Sequence, residues 1–156
     1  MKWEDLSSEP CLISRTLAVV GDRWTMLILR DCFAGVRRFA EFQAKLGISR
    51  TIVAQRLAAL VEEGVLQKNA YQDRPVRYEY RLTEKGLDLY PLVLGMFEWG
   101  RKHYPMQEGV PVIHQHTACG QDFHPVTTCS ECGDEVTARS VKARSGPGLP
   151  DGYRAA

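Results

Sequence analysis

The chain has 156 residues, 44% of them hydrophobic and 25% charged, the length and balance of one well-cored soluble domain with room for a small appendage. No apolar run approaches the roughly 18 residues that cross a bilayer, and the N-terminus MKWEDLSSEP lacks the apolar core of a signal peptide, which excludes a membrane protein and points to the cytoplasm. The formal net charge of +1 conceals a segregation: residues 11–83 carry 12 Lys/Arg against 7 Asp/Glu, whereas residues 1–10 and 84–156 are each at −2. The positive balance is confined to one segment, as a phosphate-binding module requires.

Residues 1–10 form an N-terminal arm. From Cys11 to Val20, the residues Ile13, Leu17 and Val20 recur at i, i+4 and i+7, one face of a helix. Gly21-Asp22 ends it, and Asp22 is placed to cap a second helix over Arg23 to Phe33. Trp24, Met26, Leu27 and Ile28 are its expected buried residues, with Trp24 a core residue rather than a ligand-stacking ring. After Ala34-Gly35-Val36, the spacing of Phe39, Phe42 and Leu46 predicts a short helix. Arg37-Arg38 precede it, although a helix N-terminus favours acidic groups. A phosphate nearby would explain the pair, and the alternative is a solvated surface.

Gly47 supplies a turn and Ser49 an N-cap. Val53, Leu57, Leu60 and Val61 then line one face of a helix, with Thr51, Gln55, Ala58 and Glu62 opposite. Two helices closed by a glycine-containing turn make a helix-turn-helix pattern. Ser49 and Arg50 lie at the end that enters the major groove. Arg50 and Gln55 are the expected base readers, because Arg pairs with guanine and Gln with adenine. Thr51 suits a base or a phosphate. Arg56, nearer the apolar flank, suits an internal salt bridge or a phosphate.

Val65–Ala70 and Val76–Leu82 flank the polar stretch 71–75 and read as a hairpin. Val76, Tyr78, Tyr80 and Leu82 alternate with Arg77, Glu79 and Arg81, and Pro75 stays out of the ladder at the turn. Lys68, Arg74 and Arg77 make this wing basic, with Arg74 at the tip best placed for the DNA backbone or minor groove. Thr83 caps a long helix expected from Glu84 to His103, kinked at Pro91. Its apolar stripe, Leu87, Tyr90, Leu94 and Phe97, follows a module that is already complete. It is therefore expected to serve dimerisation, the alternative being packing on its own domain.

Cys11, Gly21-Asp22-Arg23-Trp24, Leu27-Ile28-Leu29-Arg30, Arg38-Phe39-x-x-Phe42, Gly47-Ile48-Ser49, Gln55-Arg56-Leu57, Pro75 to Tyr80 and Leu82-Thr83-x-x-Gly86 together resemble the HxlR-type winged helix-turn-helix regulators over roughly residues 11–104. The resemblance implies a homodimer joined through its N- and C-terminal helices on a pseudo-palindromic operator. It also makes Cys11 a redox candidate, since several members of that family sense oxidants through a cysteine just before the first helix. Cys32, in an apolar helix, reads as a buried hydrophobe.

Beyond residue 104 the chain turns to short β-prone runs. His116-Thr-Ala-Cys119-Gly120 is followed by Cys129-Ser-Glu-Cys132-Gly133, with nine residues between Cys119 and Cys129. Four soft ligands in two such pairs suit a closed, structural Zn2+ site. His114 and His124 compete with His116, and the alternative is a metal-free appendage with incidental cysteines. The flanking runs, residues 110–115, 123–128 and 135–143, are expected to form a small three-stranded zinc-ribbon-like sheet, and the Gly/Pro-rich residues 144–156 a disordered tail.

The expected fold class is mainly α (α+β): a winged helix-turn-helix over residues 11–104 with a long dimerisation helix, then a small β appendage over residues 105–143. The expected function is sequence-specific binding of double-stranded DNA by a homodimeric transcription repressor. Phosphate contacts would come from Arg37, Arg38, Lys68, Arg74 and Arg77, and discrimination from the face bearing Ser49, Arg50, Thr51 and Gln55. The alternative is a protein-interaction module in a regulatory complex without DNA readout of its own. The sequence holds no nucleophile–base pair, glycine-rich phosphate loop or open metal site, and no enzyme is expected.

Overall fold

The computed structural model describes residues 3–150. Residues 151–156 of the expected disordered tail, and residues 1–2 of the arm, lie outside the described residues. A 3-10 turn at Trp3–Ser8 leads to α1 (Leu12–Val20), α2 (Arg23–Phe33), α3 (Phe39–Leu46) and α4 (Arg50–Glu62). The hairpin β1 (Leu66–Asp73) and β2 (Val76–Leu82) follows, then α5 (Glu84–Leu87) and α6 (Tyr90–His103). This is a mainly helical winged helix-turn-helix with one two-stranded antiparallel sheet among the described residues. The chain divides into two compact units, the first ending at Val93 and the second beginning at Leu94, inside α6 rather than after residue 104.

The helix starts are fixed by their caps. Asp22 Oδ1 accepts from the backbone N–H of Trp24 and Thr25 at 2.9 and 3.2 Å, satisfying donors that α2 leaves unpaired. Ser49 Oγ accepts from Ile52 N at 3.3 Å at the head of α4. Between α3 and α4, Gly47 takes the left-handed conformation (φ 63°) that closes the turn. The core gathers Val20, Ile28, Leu29, Phe42, Val53, Leu57, Leu60, Val65 and Leu66, all essentially inaccessible. Each contributes about 1.5–3 kcal/mol by leaving water, before the entropic cost of ordering is counted.

Trp24 is not a core residue. It is half-buried, with the Arg23 guanidinium 5.0 Å over its ring, and Leu29 and Thr25 take the inward positions on α2. A bulky ring beside the cap residue sits at the edge of the core, where its polar N–H stays near water. On α1, Val20 is buried, whereas Ile13 is 72% and Leu17 44% exposed, so the apolar face read from the sequence is left largely uncovered.

The wing differs from expectation in length and turn. β1 runs on to Asp73, leaving a tip of Arg74-Pro75, and a bulge between Ala70 and Gln72 leaves Tyr71 unpaired. Tyr80 and Leu82, at the base, pack against the core, while Val76 and Tyr78 are exposed because the hairpin projects past the body that would cover them. Arg38 forms a single bridge to Glu79, and Tyr80 N donates to Arg37 O at 2.8 Å, so the segment ahead of α3 is stitched to β2.

The helix expected over residues 84–103 is two helices. Thr83 caps α5 as expected: its Oγ1 accepts from Gly86 N at 3.2 Å and donates to Gly64 O at 2.6 Å. α5 ends after one turn, and α6 begins afresh with Pro91 as its second residue. Proline needs no N–H partner in a first turn, so a break at this point costs less than the kink predicted from the sequence. The three-stranded sheet expected in the appendage is also absent. Among the described residues after Leu82 there are only isolated bridges, Gln115↔Asp122 and Thr128↔Glu135. Each run pairs within its own turn, with too little apolar surface to hold neighbouring turns in register.

Candidate nucleic-acid interface

α4 is split cleanly between two environments. Val53, Leu57 and Leu60 are buried, whereas Ser49, Arg50, Thr51, Ala54, Gln55 and Ala58 are exposed. Exposure of the small Ala54 and Ala58 beside Gln55 leaves nothing bulky to hold the helix off a groove. Arg50 lies 5.3 Å from the Phe39 ring, a stacking contact that orients the guanidinium while leaving its N–H groups available.

Arg56 turns the other way. Its Nε sits 3.1 Å from Asp22 Oδ1, the same oxygen that caps α2, so one carboxylate ties the start of α2 to the middle of α4. The salt bridge that the sequence offered as one reading of Arg56 is formed.

Ahead of α3, the basic pair carries its own acidic group. Glu41 Oε2 accepts from the backbone N–H of Arg38 at 3.0 Å and of Arg37 at 3.3 Å, and these bonds hold its carboxyl below the usual range. The favourable dipole partner missing at Arg37-Arg38 is supplied three residues later, a capping-box signal present in the sequence and not used. Arg37 and Arg38 are exposed, and the Arg38 guanidinium stacks 4.8 Å over the bulged Tyr71. In the wing, Lys68 Nζ lies 4.1 Å over the Tyr78 ring, a diagonal cross-strand neighbour. Arg74 and Arg77 are exposed, and Gln72 Nε2 closes the tip by donating to Arg74 O at 3.1 Å.

The cations fall into two sets. Arg30, Lys45, Arg56, Arg81, Lys85 and Arg101 each have a carboxylate partner. Arg37, Arg38, Arg50, Lys68, Arg74 and Arg77 have no carboxylate within ion-pair distance among the described residues, and those that are stacked rest on aromatic rings. Two of the paired cations converge on Asp31, a residue the sequence analysis passed over. Its buried carboxylate meets Arg30 at 2.9 Å and Lys45 at 3.3 Å, linking α2 to α3. Only its spacing to Lys45 on the next helix hinted at it.

A family model described as HxlR-like helix-turn-helix matches residues 19–108. The chain belongs to the HxlR-like helix-turn-helix family. A Mycobacterium tuberculosis relative, the HTH-type transcriptional regulator Rv3095, is 44% identical over 88% of this chain and 87% of its own. The crystal structure of PA1607, described as a candidate transcription factor, superposes with a TM-score of 0.79 at 34% identity, covering 90% of this chain and 98% of that one. The reduced form of the redox regulator HypR gives a TM-score of 0.56 at 32% identity over 59% of this chain and 92% of its own. Rv3095 and PA1607 are thus matched over more of the chain than the HxlR-like module itself, while HypR is matched over little more than that module.

The remaining candidates of this HxlR-like chain lie outside the α4 and wing surface. Cys11 is half-buried at the N-cap of α1. Its thiol is lowered below the usual range by the Ser14 side chain first, then by the backbone N–H groups of Ser14 and Ile13. Arg15 does not activate it, since its Nε donates to Glu9 O at 2.8 Å. Burial pushes the Cys32 thiol up to about 12, as expected of a structural cysteine. Of the expected dimerisation residues, Tyr90 packs on Phe33 at 4.7 Å, Phe97 on His114 at 4.6 Å, Leu94 is buried and Leu87 is exposed. The exposed apolar residues of α6 are Leu92, Met96 and Trp99, at i, i+4 and i+7. His116 meets Cys119, and Cys129 meets Cys132, but no three His, Cys, Asp or Glu residues gather as a metal cage among the described residues.

Proposed function

We propose that this protein is a transcription repressor that binds double-stranded DNA as a homodimer, placing α4 in the major groove and the β1–β2 wing along the phosphate backbone. The observation that carries this reading is the partition of cations: those around the exposed half of α4 and the wing lack internal carboxylate partners, while the others are neutralised within the fold. Arg37, Arg38, Lys68, Arg74 and Arg77 contact phosphates, and Ser49, Arg50, Thr51 and Gln55 face base edges. Two copies joined through the uncovered apolar faces of α1 and α6 present two recognition helices to half-sites about 34–36 Å apart. The relatives matched above, described as transcriptional regulators, support the same reading.

The test is fluorescence anisotropy on DNA upstream of the protein's own gene, titrated with salt. With about 10 phosphates neutralised per dimer, log K falls against log salt with a slope of about −9. A protein that gives no salt-dependent shift on that DNA is not a DNA-binding regulator, and is then an interaction module in a regulatory complex. Repeating the titration after oxidant treatment tests Cys11, for which HypR, described as a redox regulator, is the motivating likeness. The expected outcome is loss of affinity on oxidation that Cys11→Ser abolishes. Loss that persists in Cys11→Ser removes Cys11 from the mechanism.

A further inference from the structure

Residues 114–136 contain the same turn twice. His116 N donates to Gln121 O at 2.9 Å, and Cys129 N to Asp134 O at 2.8 Å. Gly120 N donates back to His116 O at 2.7 Å, and Gly133 N to Cys129 O at 2.9 Å. Phe123 N donates to His114 O at 2.9 Å, and Val136 N to Thr127 O at 2.8 Å. Both glycines are left-handed, with φ of 69° and 78°. Each bond of the first turn thus recurs 13 positions later, as in 116 to 129 and 120 to 133. The shift maps His116 onto Cys129 and Cys119 onto Cys132, the four soft ligands of the segment.

Within each turn the two donors already face each other. His116 Nδ1 lies 3.4 Å from Cys119 Sγ. A tetrahedral zinc with ordinary Zn–S and Zn–N bonds separates two such ligands by about 3.5–3.6 Å, so this pair stands at the edge length of the polyhedron. In the second turn the backbone N–H groups of Cys132 and Glu131 and the Cys132 side chain all bond the Cys129 sulfur. Backbone donors directed at sulfur stabilise thiolate, the form that binds metal. The competing histidine is engaged elsewhere, since the His114 ring packs edge-on against Phe97 at 4.6 Å and Phe123 at 6.2 Å.

The segment also lacks any other source of stability. After Leu94 no described residue is buried, and Val110, Val112, Ile113, Phe123, Val126 and Val141 are exposed. A stretch without a core needs a cross-link or a metal to hold a fixed shape. We propose that His116, Cys119, Cys129 and Cys132 bind one Zn2+ per chain in a closed tetrahedral site, and that the ion draws the two turns together. Four protein ligands leave no open position, so the site is structural and not hydrolytic.

The full-length protein, stripped with chelator under reducing conditions, is titrated with Co2+ and followed by its visible and near-ultraviolet spectrum. The expected result is an intense tetrahedral d–d band with thiolate charge transfer, saturating at one Co2+ per chain and displaced by one Zn2+. Cys119→Ser, Cys129→Ser and Cys132→Ser each weaken binding at least tenfold and reduce the charge-transfer band, while Cys11→Ser leaves both unchanged. His116→Ala has the same effect on affinity, and His114→Ala does not. Because apo protein refills reversibly in the spectrum, poor expression of any single variant leaves the wild-type titration decisive. A weak octahedral spectrum, saturation at half an ion per chain, or a spectrum indifferent to Cys129→Ser overturns the proposal.

Discussion

Gln55 and Arg56 are neighbours in the chain with opposite fates, because successive residues on a helix are about 100° apart. Gln55 points outward with Arg50 and Thr51, while Arg56 rotates to the flank and meets Asp22 at 3.1 Å. Base readout and structural pairing are therefore separable by substitution. Arg50→Ala and Gln55→Ala are expected to cost about 1–3 kcal/mol on the preferred site and little on other sequences, whereas Arg37→Ala weakens all sequences alike and lowers the salt slope by about 1. Competition binding on a panel of single-base variants reads the difference, and equal losses on every sequence would retire Arg50 and Gln55 as base readers. Cys11 offers a second test at this scale. Its thiol is depressed chiefly by Ser14, so its alkylation begins below the pH of an ordinary thiol and rises as pH climbs. Ser14→Ala moves that profile to higher pH. Cys32, pushed up to about 12, stays unreactive throughout the same range in the folded protein.

At the level of elements, the junction between β2 and α5 is tighter than its sequence suggests. A Cβ on Gly86 would run into the Val65 carbonyl oxygen and meet Leu82 Cδ2 at 3.0 Å. Backbone cannot give way as a side-chain tip can, so Gly86→Ala forces the first turn of α5 off the core. The expected loss is about 1–3 kcal/mol, read as a lower midpoint in urea unfolding followed by circular dichroism. An unchanged midpoint would show that α5 is free to shift. The same junction explains why α5 and α6 are separate: Thr83 ties the first turn to Gly64, and the chain restarts where Pro91 is tolerated. The wing likewise depends on a contact outside itself, the bridge from Arg38 to Glu79. A two-stranded hairpin alone is marginal in water.

At the scale of the whole molecule, charge and apolar surface are distributed by task. The +5 of residues 11–83 is expressed where α4 and the wing carry unpaired cations. Apolar side chains are left uncovered on α1, with Leu12 at 79% and Ile13 at 72% exposed, and on α6, with Met96 at 55% and Trp99 at 58%. Exposed apolar stripes on two helices are a surface in want of a partner. Ile13→Asp or Trp99→Asp is expected to convert a dimer into a monomer in analytical ultracentrifugation and to weaken DNA binding by losing the second half-site. A variant that stays dimeric under both changes would place the interface elsewhere, with Leu87 the next surface to test.

The sequence by itself determined the elements whose cause is local. Asp22, Ser49 and Thr83 cap helices because their side chains bond donors two or three residues away. The buried stripe of α4 and the alternation of β2 follow from fixed periods of 3.6 and 2, and the strings from Gly21 to Gly86 carried the family. What depends on partners distant in the chain was decided by tertiary structure alone. Trp24 is half-buried because Leu29 fills the core, and Val76 and Tyr78 are exposed because the wing outreaches the body. The apolar stripe assigned to dimerisation is largely occupied by Phe33 and His114, which moves the uncovered surface to Leu92, Met96 and Trp99. Periodicity tells which side chains share a face. It does not tell what lies against that face, because burial is a property of the neighbour as much as of the residue.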